Sequence, residues 1–225
     1  MDRLPGNGPV YDVSCIEPLA GSPLRGGRIA VLGSSVARGE ASEGWAVGEY
    51  LAARLATSLD KEAVSGTTLA DIGPESYLRR VYRLDPHARY DLFLCQLSTN
   101  DAAKQLPPGA IAPGRDPAGF DTATTLGALE TILEYALRVW RCPAAVFTGS
   151  RFDSPAYACL VEQLPALGEK WGVGVLDLWS GEAFNRIPDA ARRLYMRDPV
   201  HPTRAGYRDW WGPELERQLL AFLKT

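Results

Sequence analysis

Histidine is nearly absent: the 225 residues contain two, His87 and His201, beside two methionines and four cysteines. Cys15, Cys95, Cys142 and Cys159 are scattered with no CxxC spacing, and no His/Cys cluster exists to bind a metal. No metal or cofactor is therefore expected. Cys95 lies inside an apolar run, where a buried thiol is expected rather than a disulfide. Long apolar stretches are missing too. None approaches the roughly 20 residues that a bilayer crossing needs, and Met1–Gly8 has no apolar run of the signal-peptide kind. A cytoplasmic protein with no membrane partner is expected. The chain also lacks an excess of positive charge: its formal net charge is -3, which argues against nucleic acid as a partner.

What remains is a 46% hydrophobic, 23% charged chain, an ordinary globular composition with length enough for one full α/β core. Residues 1–27 are rich in Gly and Pro and read as a surface lead-in, with one short strand around Tyr11–Ile16. Residues 28–225 read as the domain. Apolar runs at Arg28–Leu32, Glu62–Ser65, Leu92–Leu97, Ala144–Thr148 and Val173–Leu178 read as strands. They alternate with helical patterns at Gly44–Leu59, Leu126–Trp140, Ser154–Trp171 and Thr203–Leu223. Asp153 is the expected N-cap of the third helix, and Pro213 is expected to kink or divide the last. Continuous apolar strands between helices indicate a five-stranded parallel sheet covered on both faces, a three-layer α/β/α sandwich of flavodoxin-like type. Ala102–Thr125, with Pro107, Pro108, Pro113 and Pro117, is a long connection and is expected to form one wall of a binding pocket.

In an open parallel sheet ligands bind at the carboxyl ends of the strands. Those ends carry small polar clusters: Gly33-Ser34-Ser35, Ser65-Gly66-Thr67-Thr68 and Ser98-Thr99-Asn100-Asp101. After the fifth strand comes Asp198-Pro199-Val200-His201-Pro202. His87 precedes the third strand, at the opposite edge, so His201 is the candidate base. Asp198, three residues before it, can supply the carboxylate that orients the ring. The N–H groups of Ser35 and Gly66 and the Asn100 amide can converge as oxyanion donors. Each residue also has a plainer reading. Ser35 can be a helix cap, Gly66 a turn glycine, Asn100 and Asp101 a turn pair, and Asp198 a cap. Asp101 is taken as structural.

Together, Gly33-Ser34-Ser35, Gly66, Asn100-Asp101 and Asp198-Pro199-Val200-His201-Pro202 resemble the SGNH (GDSL-type) hydrolase family. The resemblance spans Arg28 to about Gly206. It implies Ser35 as nucleophile, Asp198 and His201 as the rest of a triad, and Ser35, Gly66 and Asn100 as the oxyanion hole. Ser35 is preferred to Ser34 because Val36 and Gly39 then fall where the family places an apolar residue and a glycine. No G-x-S-x-G elbow is present, so an α/β-hydrolase arrangement is not supported. Ser34 stands where the family usually has Asp, and Ser98 where it usually has Gly; Ser98 is expected to narrow the acyl pocket. The implied activity is hydrolysis of short-chain esters, acetyl groups on a carbohydrate or other small alcohol, so the expected partner is a small-molecule ester. Arg38 and Lys104 are the expected substrate contacts. Acyltransferase or thioesterase chemistry uses the same constellation. A non-catalytic flavodoxin-like binding module is the reading from a different class.

Overall fold

The computed structural model describes residues 4–224; residues 1–3 and 225, which end the two segments 1–27 and 28–225, lie outside the described residues. Strands β1 (Arg28–Gly33), β2 (Ser58–Ala63), β3 (Leu92–Gln96), β4 (Ala144–Phe147) and β5 (Gly174–Leu176) form one parallel sheet, in the order β2-β1-β3-β4-β5. The helices are α1 (Ser35–Arg38), α2 (Val47–Leu55), α3 (Tyr77–Val81), α4 (Thr99–Ala103), α5 (Thr125–Val139), α6 (Pro155–Trp171), α7 (Glu182–Asn185), α8 (Asp189–Tyr195), α9 (Arg204–Gly206) and α10 (Gly212–Phe222). Successive strand side chains point to opposite faces. Ala30, Leu32, Phe93, Cys95, Ala144 and Val146 therefore pack under α3, α5 and α6. Ile29, Val31, Leu92, Leu94, Ala145 and Phe147 pack under α2 and α10. Each central strand is buried on both sides, which is why it reads as an unbroken apolar run. The result is the expected three-layer sandwich.

Several boundaries differ from the sequence reading. Tyr11–Ile16 is not a strand: Val13–Cys15 is a 3-10 turn capped by the Asp12 carboxylate. The lead-in is also not merely superficial. Asn7 is buried, donates to the Ala41 carbonyl (2.8 Å) and accepts from Arg204 N–H (2.9 Å). The helix expected over Gly44–Leu59 stops at Leu55, where Ala56 turns left-handed (φ 56°), and β2 starts at Ser58 rather than Glu62. Ser154, not Asp153, caps α6 by accepting from Tyr157 N–H. The last helical run is divided, as expected, but the irregularity lies ahead of Pro213. A π-helical turn at Tyr207–Trp211 shifts the register, and the Gly212 N–H bonds to the Tyr207 carbonyl. That places Pro213, which has no N–H to give, in the first turn of α10.

The long connection 102–125 is corrected in its middle. Its first residues form the end of α4. The rest runs along the helix layer: Ala112 N–H donates to Glu130, Lys170 bonds to the Ala112 carbonyl, and Phe120 packs edge-on against Trp171. Trp171 ends α6 three residues before β5 begins, so this strap reaches the amino edge of the sheet. Its middle is anchored there by the buried Glu130 carboxylate and so leaves the carboxyl edge, where the connection was expected to wall a pocket. Its two ends stay at that edge, with Lys104 on the Gly66 carbonyl and the Thr125 and Leu126 N–H groups on the carbonyls of Pro107 and Pro108.

Candidate active site

The order reverses at β1: the chain goes from β1 out to β2, then crosses back to β3 on β1's other side. The crevice at such a switch point is where open α/β sheets bind ligands. Ser35 follows β1, Asn100 follows β3, and the segment 198–202 closes over the same edge.

Ser35 is the first residue of α1 and nearly buried. Its hydroxyl lies 2.8 Å from His201 Nε2, and His201 Nδ1 lies 2.9 Å from both oxygens of Asp198. With Nδ1–H donated to the carboxylate, Nε2 turns its lone pair to the Ser35 O–H. Asp198 Oδ1 also accepts from the N–H groups of Val200 and His201, at 2.9 Å each, and Oδ2 accepts from Arg197 Nε at 3.1 Å. Burial pushes the Asp198 carboxyl up, but these N–H groups and the imidazole outweigh it and hold the group below the usual carboxylate range. Such a line of groups can move a proton from a hydroxyl to an imidazole whose orientation is fixed. His87 is exposed, at the opposite edge.

Three donors lie at the same edge of the sheet, after β1, β2 and β3. The Ser35 N–H opens a helix and so has no intrahelical acceptor. The Gly66 N–H has no partner among the described residues. Asn100 Nδ2 gives one hydrogen to the Thr67 carbonyl (2.8 Å) and keeps the other. Gly66 is required for its backbone: φ is +79°, while open space surrounds the position a Cβ would take. The Asp101 carboxylate is structural. It accepts from Leu69 N–H, Ala70 N–H and Thr125 Oγ1, which ties the Gly66 loop to α4 and α5. Ser98 does not narrow a pocket. It is fully buried, and its hydroxyl caps α4 by accepting from Asn100 and Asp101 N–H.

The two cations expected to meet substrate are engaged by the protein. Lys104 Nζ lies 3.1 Å from the Gly66 carbonyl, and Arg38 NH1 lies 3.3 Å from both Glu40 and Ser65. Ser65 Oγ also donates to Glu40 (2.5 Å). That bond, then Arg38, Arg197 and His201, lowers the Glu40 carboxyl against its partial burial.

Sequence reading missed two supports. Gln96, at the end of β3, bonds to both sides of Ser34. Arg80, fully buried, donates to the carbonyls of Gly33 (2.7 Å), Glu62 (2.9 Å) and Glu75 (3.0 Å) and to Thr67 Oγ1 (2.9 Å). It thereby joins the ends of β1 and β2 to the Gly66 loop. The hint was an arginine between Leu78 and Val81 on an otherwise apolar helix face.

Comparison with known proteins agrees with this fold. Residues 31–208 match the model of the GDSL-like lipase/acylhydrolase family. No curated protein sequence matches the chain. Among solved structures, a protein from Lactobacillus plantarum is 21% identical with a TM-score of 0.69, over 89% of this chain and 97% of that one. A possible lipase from Chitinophaga pinensis is 16% identical with a TM-score of 0.60, over 85% and 98%. A carbohydrate esterase family 2 enzyme with a carbohydrate-binding domain, from Corynascus thermopiles, is 18% identical with a TM-score of 0.61, over 92% and 69%. At these identities the structures carry the fold; the family model, which covers most of the chain, carries the membership. The chain belongs to the GDSL-like lipase/acylhydrolase family, whose members are ester hydrolases.

Proposed function

We propose that the protein is a serine esterase that removes short acyl groups, acetyl above all, from a carbohydrate or other small alcohol. The observation that carries this reading is the unbroken line from Asp198 through His201 to Ser35, with contacts of 2.9 and 2.8 Å. Ser35 Oγ attacks the ester carbonyl carbon while its proton passes to His201 Nε2 and an electron pair moves onto the carbonyl oxygen. The N–H groups of Ser35 and Gly66 and the spare Asn100 hydrogen stabilise that oxyanion. Asp198 fixes the tautomer and stabilises the imidazolium. Collapse of the intermediate breaks the bond to the alcohol, which leaves with the proton from His201. Water, deprotonated by the same ring, then attacks the acyl-enzyme and releases the acid and Ser35. The polar rim of Arg38, Glu40, Ser65 and Lys104 favours a hydroxylated alcohol over a long acyl chain, and the likeness to a carbohydrate esterase supports it.

Labelling with a fluorescent fluorophosphonate and peptide mapping tests the reading. Modification of Ser35, its loss in His201→Ala, and faster turnover of acetyl than decanoyl esters are expected. A folded protein whose Ser35 stays unlabelled is a binding module instead.

A further inference from the structure

Two adjoining depressions lie beside the Asp198 loop and share Arg151, Phe152 and Arg192. The outer, of about 740 Å³, balances its arginines with Asp153 and Glu182. The inner, of about 310 Å³, ends on Asp198 and Pro199 and is different in character. Its floor is apolar, formed by Phe152 and Met196. Phe152 is wedged against Tyr157 and Trp179 at centroid distances of 5.1 Å. Four arginines, Arg151, Arg192, Arg193 and Arg197, surround that floor, with Asp198 as the one acid lining it.

The partners of these arginines decide what the pocket can do. Asp198 takes Arg197. Arg151 donates to the carbonyls of Trp179 and Ser180, and Arg192 to that of Asn185. Backbone carbonyls orient a guanidinium without neutralising it. Arg193 is exposed and makes no hydrogen bond or ion pair among the described residues. Three positive charges, two of them held in place, thus face a pocket next to the residue that orients His201. Guanidinium forks match the paired oxygens of carboxylates and phosphates.

Resting on the esterase reading, we propose that the alcohol part of the substrate carries an anionic group, a carboxylate or phosphate, on a ring whose apolar face lies on Phe152 and Met196. Arg151, Arg192 and Arg193 bind the anion and place the ester toward Ser35. A short acyl group leaves the alcohol as the part large enough to reach this pocket.

A matched pair of probes tests this: 3-acetoxybenzoate and its neutral analogue 3-acetoxybenzamide. Calorimetry on Ser35→Ala, which holds an ester without cleaving it, is expected to give about tenfold tighter binding of the carboxylate at low salt. The ratio is expected to approach one at high salt and in Ser35→Ala carrying Arg192→Gln and Arg193→Gln. Arg193→Gln alone, at an exposed side chain, serves if the double change unfolds the protein. Equal binding of the two probes, or a preference that survives loss of the arginines, overturns the proposal. Because binding is read without turnover, an inert Ser35 in the fluorophosphonate experiment would remove the esterase reading and leave the anion pocket standing.

Discussion

Gln96 holds Ser34 from two sides: its Oε1 accepts from Ser34 N–H at 3.0 Å, and its Nε2 donates to Ser34 Oγ at 3.2 Å. The same Oε1 accepts from Ala37 N–H at 2.9 Å, so one amide from β3 fixes both ends of the turn that presents Ser35. Gly33 allows the approach, because a Cβ there would lie 2.8 Å from Gln96 Oε1 and 2.3 Å from Ala37 Cβ. Gln96→Leu keeps the volume but leaves two buried N–H groups without an acceptor. Each such group costs about 1–3 kcal/mol. Urea unfolding is expected to record a loss in that range or above, and kcat is expected to fall with little change in KM. Wild-type kcat in a folded Gln96→Leu protein would show that the turn holds its shape without the amide.

Ser34 and Ser35 are adjacent but differently placed, one bound to Gln96 and the other to His201. Ser35→Ala is expected to lower ester turnover about 10⁴–10⁶-fold, the scale for losing a triad nucleophile. Ser34→Ala, which loses one neutral hydrogen bond, is expected to cost far less. Initial rates on one acetyl ester decide it; an active Ser35→Ala beside a dead Ser34→Ala would move the nucleophile by one residue.

The pH response of activity follows from which group must be neutral. His201 accepts the proton only as an unprotonated ring, while Asp198, held below the usual carboxylate range, keeps its charge further into acid. The acid limb of kcat/KM is therefore expected to be a single ionisation that belongs to the ring. His87→Ala should leave the limb in place and His201→Ala should abolish it. Asp198→Asn, which disturbs the tautomer, should cost several orders of magnitude in kcat. An acid limb that persists in the residual activity of His201→Ala would assign it to another group.

These residues differ in how legible they were. His201 stood out because only one other histidine exists, and the central strands because burial on two faces leaves a continuous apolar run. The edge strand β2 carries Asp60, Lys61 and Glu62, which pair with Arg28, Glu49 and Arg80, so half of it reads as surface. Arg80 was hinted at by its apolar helix face, but its partners were hidden for a related reason. A buried guanidinium that satisfies four acceptors depends on where distant carbonyls arrive, and no local pattern encodes that. The middle of the strap follows the same logic, since its course is set by Glu130, whose buried contacts with Ala112, Lys170 and Trp171 no local pattern encodes.

A second acid carries a stability signature. Glu216 accepts from two Arg54 nitrogens, Nε and Nη2 (2.8 Å each), and from Tyr50 (3.0 Å). The Arg54 bonds hold its carboxyl below the ordinary range, against partial burial. A carboxyl depressed in the folded state contributes stability above its unfolded pKa, and that stability is lost as pH falls through the folded value. Glu216→Gln is expected to be less stable at pH 7 by about 1.5–3 kcal/mol, the range for hydrogen bonds to charged groups. It should also show a shallower loss of stability between pH 5 and 3, since Gln has no proton to take up. Parallel acid slopes in the two proteins would locate the acid sensitivity elsewhere.

The strap can be separated from the chemistry. Glu130 is fully buried and satisfies Ala112 N–H, Lys170 Nζ and Trp171 Nε1. Lys170 returns to the Ala112 carbonyl at 2.6 Å and lies over the Phe120 and Trp171 rings at 5.4 and 5.2 Å. Removing one partner of a buried ion pair strands the other, at about 3–5 kcal/mol. Glu130→Ala is expected to lose that much in denaturant unfolding and to expose the connection to protease near Gly114. Lys170→Met, which keeps much of the stem against the rings but leaves the carboxylate, should fall in the same range. Neither change should alter the ratio of rates on acetyl and butyryl esters, because the anchored middle of the strap, around Ala112 and Phe120, lies toward the edge opposite His201. A shift in that ratio, measured where both proteins remain folded, would return the connection to the wall of the substrate pocket.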